Sequence, residues 1–147
     1  MTTKLRIKVA TAVVAVLLGG LLALFAGSGP AVAFFSGGLF LDVQVNSPAT
    51  LVAKGAAVVV PVEVTCNATG TAFVDVTVTQ KSGSGVAQGF GSTSVGCTGS
   101  GEQITVLVRA TGAKTFKKGD AVATAEIFGC NNVTCGSETD SEVLQIK

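Results

Sequence analysis

The chain has 147 residues, 48% of them hydrophobic, with ten Lys or Arg against nine Asp or Glu, four cysteines and no His, Trp or Tyr. The absence of histidine excludes Ser-His and Cys-His nucleophile pairs and leaves only the cysteines as soft zinc ligands. A net charge of +1 and the lack of any nucleic-acid motif exclude a nucleic-acid partner, whose binding needs several phosphate-neutralising cations.

At the start, Lys4, Arg6 and Lys8 precede an apolar run from Val9 to Ala26, and a Gly-Ser-Gly-Pro break leads into Ala31-Val32-Ala33. This is the pattern of a secretory signal peptide with a small-residue cleavage site. Residues 1–33 are therefore predicted to be a removed leader and 34–147 a single extracellular domain. The alternative is a retained anchor, because a run of 18 residues is at the lower edge of spanning length. Gly19-Gly20 and the Ala-x-Ala site favour cleavage, which leaves no stable membrane span. The remaining 147 − 33 = 114 residues suffice for one self-supporting core. Three basic residues leave with the leader, so the net charge becomes 7 − 9 = −2.

Past the leader the hydrophobic period is two, that of half-buried strands. "LFLDVQV" from residue 39 reads as a strand that resumes after Ser47-Pro48 as "TLVA". "AAVVVPVEVTC" puts Val58, Val60, Val62, Val64 and Cys66 on one face. Its Pro61 predicts an edge or a bulge, because proline cannot donate to a ladder. "TAFVDVTVTQ" turns Val74, Val76 and Val78 inward, and "EQITVLVRA" does the same with Ile104, Val106 and Val108. "VAQGFGSTSVGC", "AVATAEIF" and "SEVLQIK" complete the set, with Gly-rich turns between them and no helical stretch. About seven short strands with such turns predict an all-β, immunoglobulin-like β-sandwich. A small closed barrel is its main rival.

In an up-and-down path every turn reverses direction, so each strand end can be assigned by counting. Cys66, Cys97 and the Cys130 to Cys135 hairpin all fall at one end. The simplest connectivity is Cys66–Cys97 with Cys130–Cys135. On the loop-entropy account these bonds contribute roughly 3.5 and 2 kcal/mol. An exported chain is where they persist. The five-residue spacing of Cys130 and Cys135 is not the Cys-x-x-Cys of redox proteins. Glu138, Asp140 and Glu142 alternate on a strand as a solvated row and lack the EF-hand glycine, so no metal site is assigned. No catalytic residue and no cofactor are assigned: the acids are scattered, and no Gly-rich loop opens a helix.

The same counting sends Lys54, Lys81, Arg109, Lys114, Lys117, Lys118 and Lys147 to the end opposite the cysteines. "KTFKKGD", with Lys114, Phe116, Lys117 and Lys118, is therefore a candidate contact for an anionic cell-wall polymer or lipid surface. The alternative for Phe116 is a plug in the open end of the core. A second candidate is an apolar ligand site: Phe73 faces outward, cysteine parity turns Phe90 outward on the next strand, and together they would floor it. A bulge at Gly89 or Gly91 would instead turn Phe90 inward. Asn67-Ala68-Thr69 and Asn132-Val133-Thr134 match the glycosylation acceptor pattern, which carries little weight in a chain whose leader is of bacterial type.

"CNNVTCGSETDSEVLQIK" resembles the C-terminal disulfide hairpin of neocarzinostatin-type chromoprotein apoproteins of actinomycetes. Cys130 and Cys135 carry the match over about the last twenty residues. That resemblance implies an immunoglobulin-like sandwich holding a chromophore in a cleft, with no catalytic role. The chain departs from the family in the wide Cys66 to Cys97 span and in lacking an aromatic-rich pocket. The whole of 34–147 looks more like the small uncharacterised exported β-sandwich proteins of actinobacteria, which implies a fold and a compartment. The expected function is a secreted, non-catalytic binding or structural module of the bacterial envelope. A small-molecule carrier and a secreted protease inhibitor are the alternatives. The denatured protein from its host's culture should have the mass of residues 34–147 less four hydrogens; a full-length or reduced mass in intact-protein mass spectrometry would overturn the export reading.

Overall fold

The computed structural model describes residues 38–147; the leader expected over 1–33 lies outside the described residues. The described chain is all β, with eight strands: β1 Leu41–Val45, β2 Thr50–Val52, β3 Ala57–Cys66, β4 Thr71–Ser82, β5 Gly85–Gly96, β6 Glu102–Ala110, β7 Gly119–Cys130 and β8 Cys135–Ile146. A single 3-10 turn, Ala53–Gly55, joins β2 to β3. Strand boundaries follow the alternation seen in the sequence. Val58, Val60, Val62 and Val64 of β3 and Val74, Val76 and Val78 of β4 are all buried, and the residues between them face outward or are half-buried.

The strands form one nearly closed, barrel-like sheet in the order β1-β3-β6-β5-β4-β7-β8, with β2 continuing the line of β1 along β3. The path is not the simple up-and-down meander expected. β3 pairs with β1 and β6, and β4 with β5 and β7, so consecutive β3 and β4 are not neighbours. β1 and β2 run in the same direction along β3, every connection from β2 onward reverses the chain, and the assignment of ends by counting survives. The two halves of the sheet meet on one side at β5 and β6, through the Gly89–Ala110 and Phe90–Arg109 pairs and the Thr111 N–H donating to the Gln88 carbonyl at 2.9 Å. On the other side Ala49 bridges Ile146 in parallel. There the Ala49 N–H donates to the Gln145 carbonyl at 2.9 Å and the Leu51 N–H to the Lys147 carbonyl at 2.9 Å.

The β5–β6 corner depends on two glycines. A Cβ on Gly89 would lie 2.6 Å from the Arg109 carbonyl oxygen and 2.8 Å from Phe116 Cζ, and one on Gly91 would collide with the Leu107 carbonyl. Glycine at a sheet corner admits this close backbone approach. No bulge reverses the alternation there: Gly89 and Gly91 are buried and Phe90 remains outside.

Pro61 is not on an edge strand, contrary to expectation. β1 pairs with β3 as far as Val45 opposite Val62, and β2 resumes at Thr50 opposite Val59. Pro61 lies in the interval, where its carbonyl accepts from the Asn46 N–H at 2.9 Å. The N–H that proline lacks would point into that same gap, so the ladder loses nothing. The core is a layer of valine and alanine closed by Ile127, Leu144 and Ile146. Leu41 of β1 packs over Gly129 of β7, where a Cβ would sit 3.2 Å from its Cδ2.

Both disulfides form as paired in the sequence reading, Cys66–Cys97 and Cys130–Cys135, and leave no free cysteine among the described residues. They mark an oxidising, extracytoplasmic compartment. Gly89→Ala should cost about 2–3 kcal/mol by overpacking backbone that cannot move aside. Gly96→Ala, with no atom within 4 Å of the new Cβ, should change stability by less than about 1 kcal/mol. Urea unfolding of the two variants checks the difference.

Candidate functional site: a basic pole and an outer aromatic face

Lys54 lies in the 3-10 turn before β3, Lys81 near the end of β4, and Arg109 near the end of β6. Lys114, Lys117 and Lys118 belong to the loop before β7, and Lys147 follows β8. All seven basic residues of 34–147 thus lie at the end of the sheet opposite the disulfides. Of the acids, Asp42, Glu63 and Glu102 sit near the disulfide end, and Asp75, Glu126, Glu138, Asp140 and Glu142 along the strands. Asp120 alone, at the start of β7, joins the lysines.

The lysine loop is held from beneath. Phe116 is 1% exposed and closes the open end of the core against Gly89. It is the plug and not a contact surface, which corrects its candidacy for polymer binding: its ring faces the interior, while Lys114, Thr115, Lys117 and Lys118 around it are exposed. The Phe116 N–H donates to the Gly55 carbonyl at 2.9 Å. Gly55 has φ 89°, and a Cβ there would collide with the Phe116 carbonyl.

Next to the plug, Gln80 is 4% exposed and clamps the loop with both ends of its amide. Its Nε2 donates to the Lys117 carbonyl at 2.8 Å and to that of Asp120 at 3.3 Å, while its Oε1 accepts from the Lys117 N–H at 2.8 Å. The sequence reading did not single out Gln80. The signal was present, since it follows Val74, Val76 and Val78 on the inward parity, where a polar group must find partners.

Phe73 and Phe90 do both face outward, 55% and 47% exposed. The register separates them: Phe73 stands opposite Ser94 and Phe90 opposite Thr77. Four residues along a strand are about 13 Å, so the two rings do not floor a common site. Nor does either line the hollow bounded by Thr79, Lys81 and Val86 at the basic end or the one bounded by Asn67, Asn131 and Val133 at the other. The neighbour of Phe73 is Phe128 of β7, directly opposite and 46% exposed. Parity in "AVATAEIF" could have found it, because the buried Ala121, Ala123, Ala125 and Ile127 leave Phe128 outside.

In the row Glu138, Asp140 and Glu142 the two glutamates are solvent-exposed, as expected of a solvated row, and Asp140 is half-buried. These acids stand opposite the buried Ile127, Ala125 and Ala123, on the core-facing side of β8. Asp140 reaches β1, where its Oδ2 accepts from the Val45 N–H at 2.8 Å. Among the described residues no group of three or more His, Cys, Asp or Glu is arranged to hold a metal ion. At the disulfide end the Asn67 side chain is engaged twice: Oδ1 accepts from the Phe40 N–H at 2.6 Å and Nδ2 donates to the Gly38 carbonyl at 2.9 Å.

No protein-family model matches this sequence, and no curated protein does. Among solved structures it is similar to CsgH of R. palustris, with a TM-score of 0.39 and 11% identity over 68% of this chain and 90% of that one. It is also similar to AggA, the major subunit of aggregative adherence fimbriae type I of Escherichia coli, with a TM-score of 0.39 and 10% identity over 75% and 95% of the two chains. At that distance neither likeness bears on function.

Gln80→Leu should remove the side-chain partner of the Lys117 N–H and of the Lys117 and Asp120 carbonyls and cost about 2 kcal/mol. Hydrogen exchange at the Lys117 amide should accelerate accordingly, and an unchanged rate would mean that the clamp does not hold the loop.

Proposed function

We propose that the protein is a secreted, non-catalytic binding or structural module of the bacterial cell envelope, and that its basic pole contacts an anionic envelope polymer. The observation that carries this reading is the gathering of seven basic residues at one end of a domain whose net charge is negative. A concentrated cationic end on a rigid body attracts a polyanion through the local field even when the total charge is of the wrong sign. The finer fold reading is an immunoglobulin-like sandwich, supported by the strand order. In that reading β1, β3 and β6 would make one layer and β5, β4, β7 and β8 the other, with the short β5–β6 ladder as the corner between them. A non-catalytic role is favoured by the absence of histidine, the oxidised cysteines and the dispersed acids.

The carrier reading loses its aromatic floor with the separation of Phe73 from Phe90. The inhibitor reading needs an extended loop, whereas Asn131 to Thr134 is a closed turn. The Asn131 N–H donates to the Thr134 carbonyl at 2.8 Å, and Asn131 Oδ1 accepts from the amides of Val133 and Thr134.

Co-sedimentation with isolated envelope polymer tests the proposal. Lys114→Glu with Lys117→Glu and Lys118→Glu should weaken binding at least about tenfold, since each cation near an anionic surface contributes about 1 kcal/mol. The melting temperature should be nearly unchanged, because all three side chains are exposed. Binding that survives the triple substitution would sink the reading.

A further inference from the structure

One part of the outer face of β4 and β7 differs in chemistry from its surroundings. Phe73 stands opposite Phe128, and the next outward pair is Asp75 opposite Glu126. All four side chains are exposed. Like charges directly opposite on neighbouring strands destabilise a sheet, and nothing adjacent relieves them. The other cross-strand neighbour of Asp75 is Ser92, that of Glu126 is Thr139, and the next row holds Thr77 and Thr124. Along β4 the first basic residue is Lys81, six positions on, about 20 Å at strand rise. Two ring faces beside two carboxylates make a square suited to an ammonium group, which the ring quadrupoles and the carboxylates both attract.

The complementary surface is on the same molecule. Lys114, Lys117 and Lys118 project from the loop that Phe116 and Gln80 hold in place. Their backbone is already ordered, so docking them costs less conformational entropy than docking a free segment. The square lies near the start of β4 and Gln80 near its end, so loop and square cannot meet within one copy.

We propose that the lysine loop of one copy docks on the Phe73, Phe128, Asp75 and Glu126 square of a second copy. The two surfaces differ, so the contact is heterologous and can repeat into an open chain. It goes beyond the envelope reading and does not rest on it: Asp75 and Glu126 lie away from the pole, and replacing them leaves polymer binding intact.

Sedimentation velocity of the purified protein supplies the test. The weight-average mass should rise with concentration at about 20 mM salt and fall to that of a monomer at about 0.5 M, where screening shortens the reach of charge severalfold. Asp75→Lys with Glu126→Lys should be monomeric at low salt, and so should Lys114→Glu with Lys117→Glu and Lys118→Glu. An equimolar mixture of these two variants should associate again, because every loop then meets a square of opposite sign on the other variant. Phe73→Ser with Phe128→Ser should weaken wild-type association about tenfold. If the lysine-substituted square fails to fold, Asp75→Asn with Glu126→Gln gives the same readout with less perturbation. Wild-type protein that stays monomeric at low salt overturns the proposal, even if the square binds a free lysine peptide. A mixture that stays monomeric overturns it too.

Discussion

The Phe116 ring seated on the backbone of Gly89 is the contact on which the rest of the molecule depends. Gly89 is one of the two β5 residues that pair with β6, so the ring lies where the two halves of the sheet are joined. A side chain at 89 would displace the ring, and a smaller residue at 116 would leave a cavity at that end of the core. The backbone that delivers the ring also carries the lysines, and Gly55 and Gln80 hold it through hydrogen bonds. The closure of the core and the charge layout of the surface are therefore set by one loop.

The aromatic residues are used in an unusual way for so small an all-β protein. Of Phe40, Phe73, Phe90, Phe116 and Phe128, only Phe116 is buried. The interior is filled by valine and alanine, whose small, stiff side chains pack the pleated surface with few rotamers to lose. An aromatic ring is normally worth more inside than outside, so four half-exposed rings mark outer surface that folding alone does not explain. Two of them stand together next to two acids, on the face farthest in charge from the pole.

Much of this was legible from the alternation of residues. Parity is a local property, and it correctly turned the valines inward and Phe73 outward; counting reversals brought all four cysteines to one end. What failed required knowing the neighbour across the sheet. Phe90 has the right parity, but its partner is Thr77, a register fixed by the tight Ser82–Gly85 turn. Pro61 looked like an edge residue because the interruption of its neighbour, between β1 and β2, is not written near it in the chain. The acids of β8 form the exposed row that alternation implies at Glu138 and Glu142, but the half-burial of Asp140 against β1 is not written near it in the chain. Phe116 sits in a loop, where no period exists to tell a plug from a contact.

That acidic row bears on how copies of such a protein can come together. An exposed strand edge invites another backbone to pair with it, and charges turned toward the core side of the edge discourage this. With Glu138, Asp140 and Glu142 along β8, and Asp140 already bound to the free amide of β1, the edge offers little to a foreign strand. Contacts between molecules are left to side chains, which ions can outcompete, and not to ladders that, once zipped, rarely come apart. An assembly held by such contacts would come apart as the salt concentration rises.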